Sequence, residues 1–275
     1  MNLRKLIFTQ NACYKAGKNI KPKGIMVHST GANNPNLKRY VGPDDGLLGK
    51  NLFNNHWNQK MSRNVCVHAF IGKLKDGTIA TYQTLPWDHR GWHCGSGSKG
   101  SGNDTHISFE ICEDNLKDAN YFGKVYKEAV ELCAYLCKQY GLTEKDIICH
   151  SEGRTKGIAS NHGDVMHWFP IHGKSMDTFR ADVKALIAEK PVVITTSVKL
   201  DTAKSYSKKK AGTYKVNASG GLRLRSGAST DKAIIQTMAN GSRVRCYGYY
   251  TGSWLYVVSE NGLTGFCHSS YLQKI

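Results

Sequence analysis

The sequence predicts an α/β domain, with a central mixed β-sheet flanked by helices, followed by a small all-β barrel. Three observations predict it. Up to about residue 190, short apolar runs of strand type are interspersed with two stretches of helical period. A polar, basic stretch without period comes next. Beyond it, short strands follow one another closely, with Gly or Asn at the turns between them. The 275 residues suffice for one sizeable core and a smaller second one. Domains are therefore expected over 1–194 and 213–275, joined by a flexible basic linker over 195–212.

In the first domain, apolar runs at 25–28 and 65–71 read as strands. The turn Lys75-Asp76-Gly77 makes a hairpin between the second run and a strand at 78–82. Residues 107–111 alternate as a half-buried strand should, and 147–149 is a further short one ending at His150. A helix over about 121–140 places Val125, Ala129, Leu132, Cys133 and Leu136 on one face, with Gly141 as its C-cap. A second helix over 175–190 starts at an N-cap Ser175 and stops at Pro191. In the second domain, strands are expected at 214–217, 222–225, 234–238, 243–249, 255–258 and 265–268.

The charge narrows the choice of partners. Lys and Arg number 38 against 21 Asp and Glu, a net charge of +17. Such a balance favours a polyanion: nucleic acid, anionic lipid, or an anionic polymer of a bacterial wall. No nucleic-acid-binding motif accompanies the charge. No stretch approaches the ~20 apolar residues of a membrane span, so membrane insertion is not expected. The basic start Met1-Asn2-Leu3-Arg4-Lys5 lacks the apolar run of a signal peptide. Nine cysteines, an odd number without paired spacing, argue against a disulfide framework and for synthesis in a reducing cytoplasm.

Among eleven histidines some must be structural, but position distinguishes two of them. His28 and His150 each sit at the C-terminal end of an expected strand and each precedes a serine. A strand end holds an imidazole rigidly at the rim of a sheet, where a metal can reach it. A catalytic zinc site takes about three protein ligands and leaves one position open. Downstream, Asn161-His162-Gly163-Asp164 offers either Asp164 or His162 as a third.

Several motifs in order then resemble one family. They are Val27-His28-Ser29-Thr30, Val67-His68-Ala69-Phe70, the Asp76-Gly77-Thr78-Ile79 hairpin and Arg90-Gly91-Trp92-His93-Cys94-Gly95, followed by Ile107-Ser108-Phe109-Glu110-Ile111 and Cys149-His150-Ser151-Glu152. The sequence over roughly 20–190 is similar to the type-2 N-acetylmuramoyl-L-alanine amidases, relatives of the peptidoglycan recognition proteins. The resemblance implies zinc held by His28, His150 and Asp164, with Glu110 as the catalytic carboxylate. It implies His162 as oxyanion stabiliser where the family usually carries Lys, with Lys156 as an alternative, and Val165 stands in place of the usual Pro. Trp92 and His93 would line the substrate groove, and His68 fits a buried position.

Residues 213–275 resemble a bacterial SH3-like domain. The match rests on Gly221-Leu222-Arg223-Leu224-Arg225-Ser226, Trp254-Leu255-Tyr256-Val257 and Gly265-Phe266-Cys267-His268. Together the resemblances imply hydrolysis of peptidoglycan between N-acetylmuramic acid and L-alanine, with peptidoglycan and anionic wall polymers as partners. A phage endolysin of a Gram-positive host, made in the cytoplasm and released through a holin-type pore, is the expected context. An autolysin of the same chemistry and a non-catalytic peptidoglycan-binding protein are the alternatives.

Overall fold

Six strands form the sheet of the first unit: β1 (Leu3–Lys5), β2 (Gly24–Ser29), β3 (Ala69–Lys73), β4 (Ile79–Gln83), β5 (His106–Ile111) and β6 (Ile147–Cys149), in the order β1-β4-β3-β5-β2-β6. The structure is a computed structural model, and it describes residues 1–61, 64–188, 199–218 and 220–275. Strands β3 and β4 are the antiparallel hairpin; the remaining pairings of the sheet are parallel. At its turn Gly77 adopts φ +83°, which only glycine takes without strain, and Asp76 accepts a hydrogen bond from the Thr78 amide.

Among the described residues four α-helices accompany the sheet: α1 (Ala12–Lys15), α2 (Ala119–Tyr140), α3 (His150–Thr155) and α4 (Met176–Ala188). The Asp118 carboxylate caps α2 by accepting from the amides of Asn120 and Tyr121, and Gly141 ends it at φ +66°. Ser175 caps α4 through its hydroxyl, which accepts from the Thr178 amide.

Alternation along the strands assigns the two faces. Ile25 and Val27 of β2, with Ile107, Phe109 and Ile111 of β5, pack under α2 and α4 in one apolar core that includes Trp168, Phe169 and Phe179. The opposite face carries Met26 and His28 of β2 and Ser108 and Glu110 of β5. Loops rather than long helices cover that side, and a second core around Phe8, Tyr40, Phe70 and Tyr82 supports it.

The chain separates into two compact units, Met1–Glu189 and Lys190–Ile275. The second is all-β: β7 (Ser205–Tyr206), β8 (Gly212–Val216), β9 (Leu222–Arg225), β10 (Ile234–Met238), β11 (Arg243–Thr251), β12 (Trp254–Ser259), β13 (Thr264–His268) and β14 (Leu272–Lys274). Hydrogen-bonded neighbours run β10-β9-β13-β12-β11-β8-β14, with β7 added on β11. Val216, Leu224, Val244, Cys246, Leu255, Val257 and Cys267 fill its core.

Three expectations need correction. The linker expected over 195–212 begins outside the described residues, but from Lys199 onward the chain is part of the second unit. The Asp201 amide donates to the Ser226 carbonyl, and β7 pairs with β11. Backbone pairing needs no apolar side chains, so a polar composition did not reveal it. Residues 65–68 lie ahead of β3 rather than within it; there Cys66 makes only an isolated bridge with Trp92. His150 opens α3 instead of closing β6.

Candidate active site

Three adjacent parallel strands, β5, β2 and β6, deliver the site at their C-terminal ends. His28 is the penultimate residue of β2, Glu110 the penultimate residue of β5, and the two are register partners. His150 follows β6 directly, at the start of α3. Glu152 fixes that strand-to-helix corner: its carboxylate accepts from the Cys149 amide and takes a forked hydrogen-bond pair from Arg180 of α4. Asp164 and His162 arrive on the loop after α3.

The donors converge. His28 Nδ1 lies 2.9 Å from Asp164 Oδ2, and His150 Nδ1 lies 3.3 Å from His28 Nδ1 and 3.8 Å from the same carboxylate oxygen. One ligand atom from each of the three residues falls within a 4.8 Å group. Zinc bound at ~2.0–2.1 Å by nitrogen and oxygen places neighbouring donors roughly 3.3 Å apart in a tetrahedron. Two ring nitrogens and a carboxylate oxygen turned on one point, all three residues buried, therefore fit such an ion.

The electrostatics suit it as well. Burial, reinforced by nearby His28, pushes His150 down to about 4, so the ring is neutral and its lone pair available. Burial alone would raise Asp164, but the hydrogen bond and charge of His28 outweigh it and hold the carboxyl below its ordinary range. Glu110 is the opposite case: burial, then the charges of Asp164 and Glu113, push it well above the ordinary carboxylate range. Its Oε2 is buried and has no hydrogen-bond partner among the described residues.

Seven of the residues singled out in the sequence, His28, Trp92, His93, Glu110, His150, His162 and Asp164, line one cavity of about 670 Å³. Trp92 stands at its rim, 48% exposed, with the Arg90 guanidinium 5.7 Å from its ring centre. His162 is open to solvent; its side chain is 68% exposed, its Nδ1 bonds to Asp164 Oδ1 at 2.9 Å, and its ring stacks on His150. His93 occupies a place the sequence did not anticipate. It reaches the cavity, but its Nδ1 also lies 3.0 Å from His28 Nε2. With His28 Nδ1 facing the ligand point, its Nε2–H donates to His93 and the ring orientation is fixed. Lys156 is not brought in; it lies in a separate depression with Glu152 and Arg180.

Sequence reasoning missed several participants. Glu113 is buried, accepts from the Gly31 amide and pairs with His167 at 3.0 Å. Asn103 is buried and accepts from the His93 and Cys94 amides, holding the Trp92–Gly95 loop against the site. Ser160 lies 3.3 Å from His150 Nε2. Only Glu113, three residues after Glu110, lay near enough to a motif to be suspected. His68, expected to be buried, is fully so: its Nδ1 accepts from the Ser108 amide and its Nε2 donates to the His89 carbonyl.

Residues 18–164, more than half of the chain, match the N-acetylmuramoyl-L-alanine amidase family. The chain belongs to that family. Residues 220–273 match the bacterial SH3 domain. Among curated amidase relatives, N-acetylmuramoyl-L-alanine amidase CwlH of Bacillus subtilis (strain 168) is 37% identical over 87 residues, 32% of this chain and 33% of that one. CwlL of Bacillus licheniformis, another such amidase, is 33% identical over 123 residues, 44% of this chain and 30% of that one. The chain thus spans about a third of the length of the curated relatives it matches. Of solved structures, PlyL superposes with a TM-score of 0.48 at 23% identity, covering 67% of this chain and 98% of its own.

Proposed function

We propose that this chain is a zinc-dependent amidase that hydrolyses the amide between N-acetylmuramic acid and L-alanine in bacterial peptidoglycan, lysing the wall as an endolysin does. The convergence of His28, His150 and Asp164 beside Glu110, in one open cavity, carries the reading. Those three side chains would hold the metal. The chemistry a bound zinc supplies is a lowered water pKa, from 15.7 toward ~7, and polarisation of a carbonyl.

The chain's own residues do the rest. A carboxyl raised by burial both accepts and returns a proton, so Glu110 Oε2 takes one from the attacking water and passes one to the leaving nitrogen. His162 donates from Nδ1 to Asp164; its other nitrogen donates to a developing oxyanion only while the ring is charged. Trp92 offers an aromatic face at the rim for sugar or peptide. The second unit keeps the first at high local concentration on an insoluble substrate, and the net charge of +17 favours anionic wall polymers. Pairing of an amidase unit with a wall-binding unit supports the endolysin role, with synthesis in the cytoplasm and release through a holin-type pore.

Digestion of purified wall tests the reaction. New free L-alanine amines without new reducing sugars are expected, with loss on chelation and recovery on adding zinc; new reducing sugars, or full activity after chelation, would overturn it. For the route, the protein expressed in a Gram-positive cell should lyse it only when a pore is co-expressed.

A further inference from the structure

The second unit carries a cavity of about 480 Å³ that the amidase reaction does not use. Its walls come from neighbouring strands in register. Trp254 of β12 lies opposite His268 of β13, and Phe266 of β13 lies opposite both Tyr256 of β12 and Arg225 of β9. Alternation then puts Trp254, His268 and Arg225 on the side of the sheet away from the Leu224 and Val257 core. Residues 199–204 lie against the part of this face around Phe266. The part beside them stays open, and Arg223 and Tyr271 complete it.

Two features inside it are anomalous for a surface hollow. Arg225 is only 8% exposed, yet the one hydrogen bond its guanidinium makes among the described residues goes to the Lys232 carbonyl. The ion pair this unit shows among its described residues joins Lys232 to Asp201 and leaves Arg225 without a carboxylate. Buried guanidinium groups are ordinarily paired. His268 Nδ1 is also buried and has no hydrogen-bond partner among the described residues. No Asp or Glu is among the lining residues. The cavity is thus a cationic socket with aromatic walls, Trp254 standing edge to face with His268 at 5.2 Å.

We propose that this socket binds the free carboxylate end of a short peptide, the stem peptide of the wall, with Arg223 and Arg225 holding the carboxylate and Trp254 and Tyr271 packing on the residues behind it. The inference rests on the peptidoglycan reading and locates a second contact with the same substrate. A carboxylate satisfies both the unpaired guanidinium and the orphaned ring nitrogen, the latter as a donor. The volume suits a small ligand, since such sites run roughly 300–1,000 Å³. A chain of phosphates would call for cations in a row on an open face. This unit presents such a row elsewhere, with Lys215 of β8 paired to Arg243 of β11 and Arg245 two residues on.

An NMR titration of the full chain carrying Glu110→Gln tests the inference, with the Trp254 indole and the His268 ring as reporters. The probe is a wall stem peptide with a free C-terminal carboxylate, compared with its carboxamide. The acid should move both signals. The carboxamide should bind about tenfold more weakly or worse, as loss of one charge-assisted contact implies. Arg225→Met should weaken the acid to a similar degree; because that variant risks misfolding, exposed Arg223→Gln, with an unchanged melting temperature, gives the same readout. Equal binding of acid and carboxamide, or a glycerol-phosphate oligomer moving these signals at lower concentration than the acid, would overturn the proposal. Wall digestion by the parent chain reports separately on the amidase, so either idea can fail without the other.

Discussion

Phe109 and Glu110 are consecutive residues of one strand and belong to different worlds. Phe109 points into the core under α2 and α4, among Ile25, Ile107 and Trp168. Glu110 points the other way, into the cavity that holds His28, His150 and Asp164, with an unsatisfied oxygen of its own. The same contrast separates Val27 from His28 on β2. A period of two delivers apolar side chains to one face and chemistry to the other, so the packed face makes the strand rigid and the polar face inherits that rigidity. The polar face alone would be costly: it gathers buried carboxyls and imidazoles that each lose hydration.

Substitutions on the two faces should separate activity from stability. Glu110→Gln is expected to lower kcat by about 10²–10⁴ while leaving the melting temperature unchanged or higher, because Gln resembles the protonated carboxyl that burial favours. A comparable loss of melting temperature would break the contrast. Phe109→Ala should instead cost about 3–5 kcal/mol in denaturant unfolding, with the surviving folded fraction still active. His68 packs against Ser108 of β5, and burial pushes it down to about 4. Its ordinary value is about 6.5, so over that interval the unfolded chain binds the proton more readily than the folded one. The contribution is complete above pH 6.5 and is lost as pH falls toward 4, by roughly 3 kcal/mol. His68→Asn should flatten this part of the stability curve, read by denaturant melts at a series of pH values. The smallest effect is expected at the open edge of the site. His162→Lys should leave the rate of wall digestion near the parent's, since a lysine also presents a donor at this exposed position beside Asp164.

Much of this was legible because the period was clean. The strand at 107–111 alternates, the long helix carries its apolar stripe and a C-cap glycine, and His28 and His150 stand at or just after strand ends in recognisable motifs. What stayed hidden lacked a local pattern. β1 is Leu-Arg-Lys, and it exists because it pairs with β4, Leu3 lying opposite Thr81. β7 is Ser-Tyr, held by backbone bonds to β11. Asn103, Ser160 and His167 reach the site from loops, whose polar residues carry no period by which to tell a partner from a solvated side chain. The second role of His93 is of the same kind, since contact with His28 depends on how a loop from 84–105 folds over the sheet.

All nine thiols are buried within the two units, and none is joined to another in a disulfide. A sulfhydryl reagent therefore meets almost nothing on the native surface, and several sites at once when either unit opens. Cys133 and Cys137 of α2 would report on the first unit, Cys246 and Cys267 on the second. The molecule carries its own gauge of partial unfolding, and timed labelling followed by peptide mapping would reveal which unit yields first.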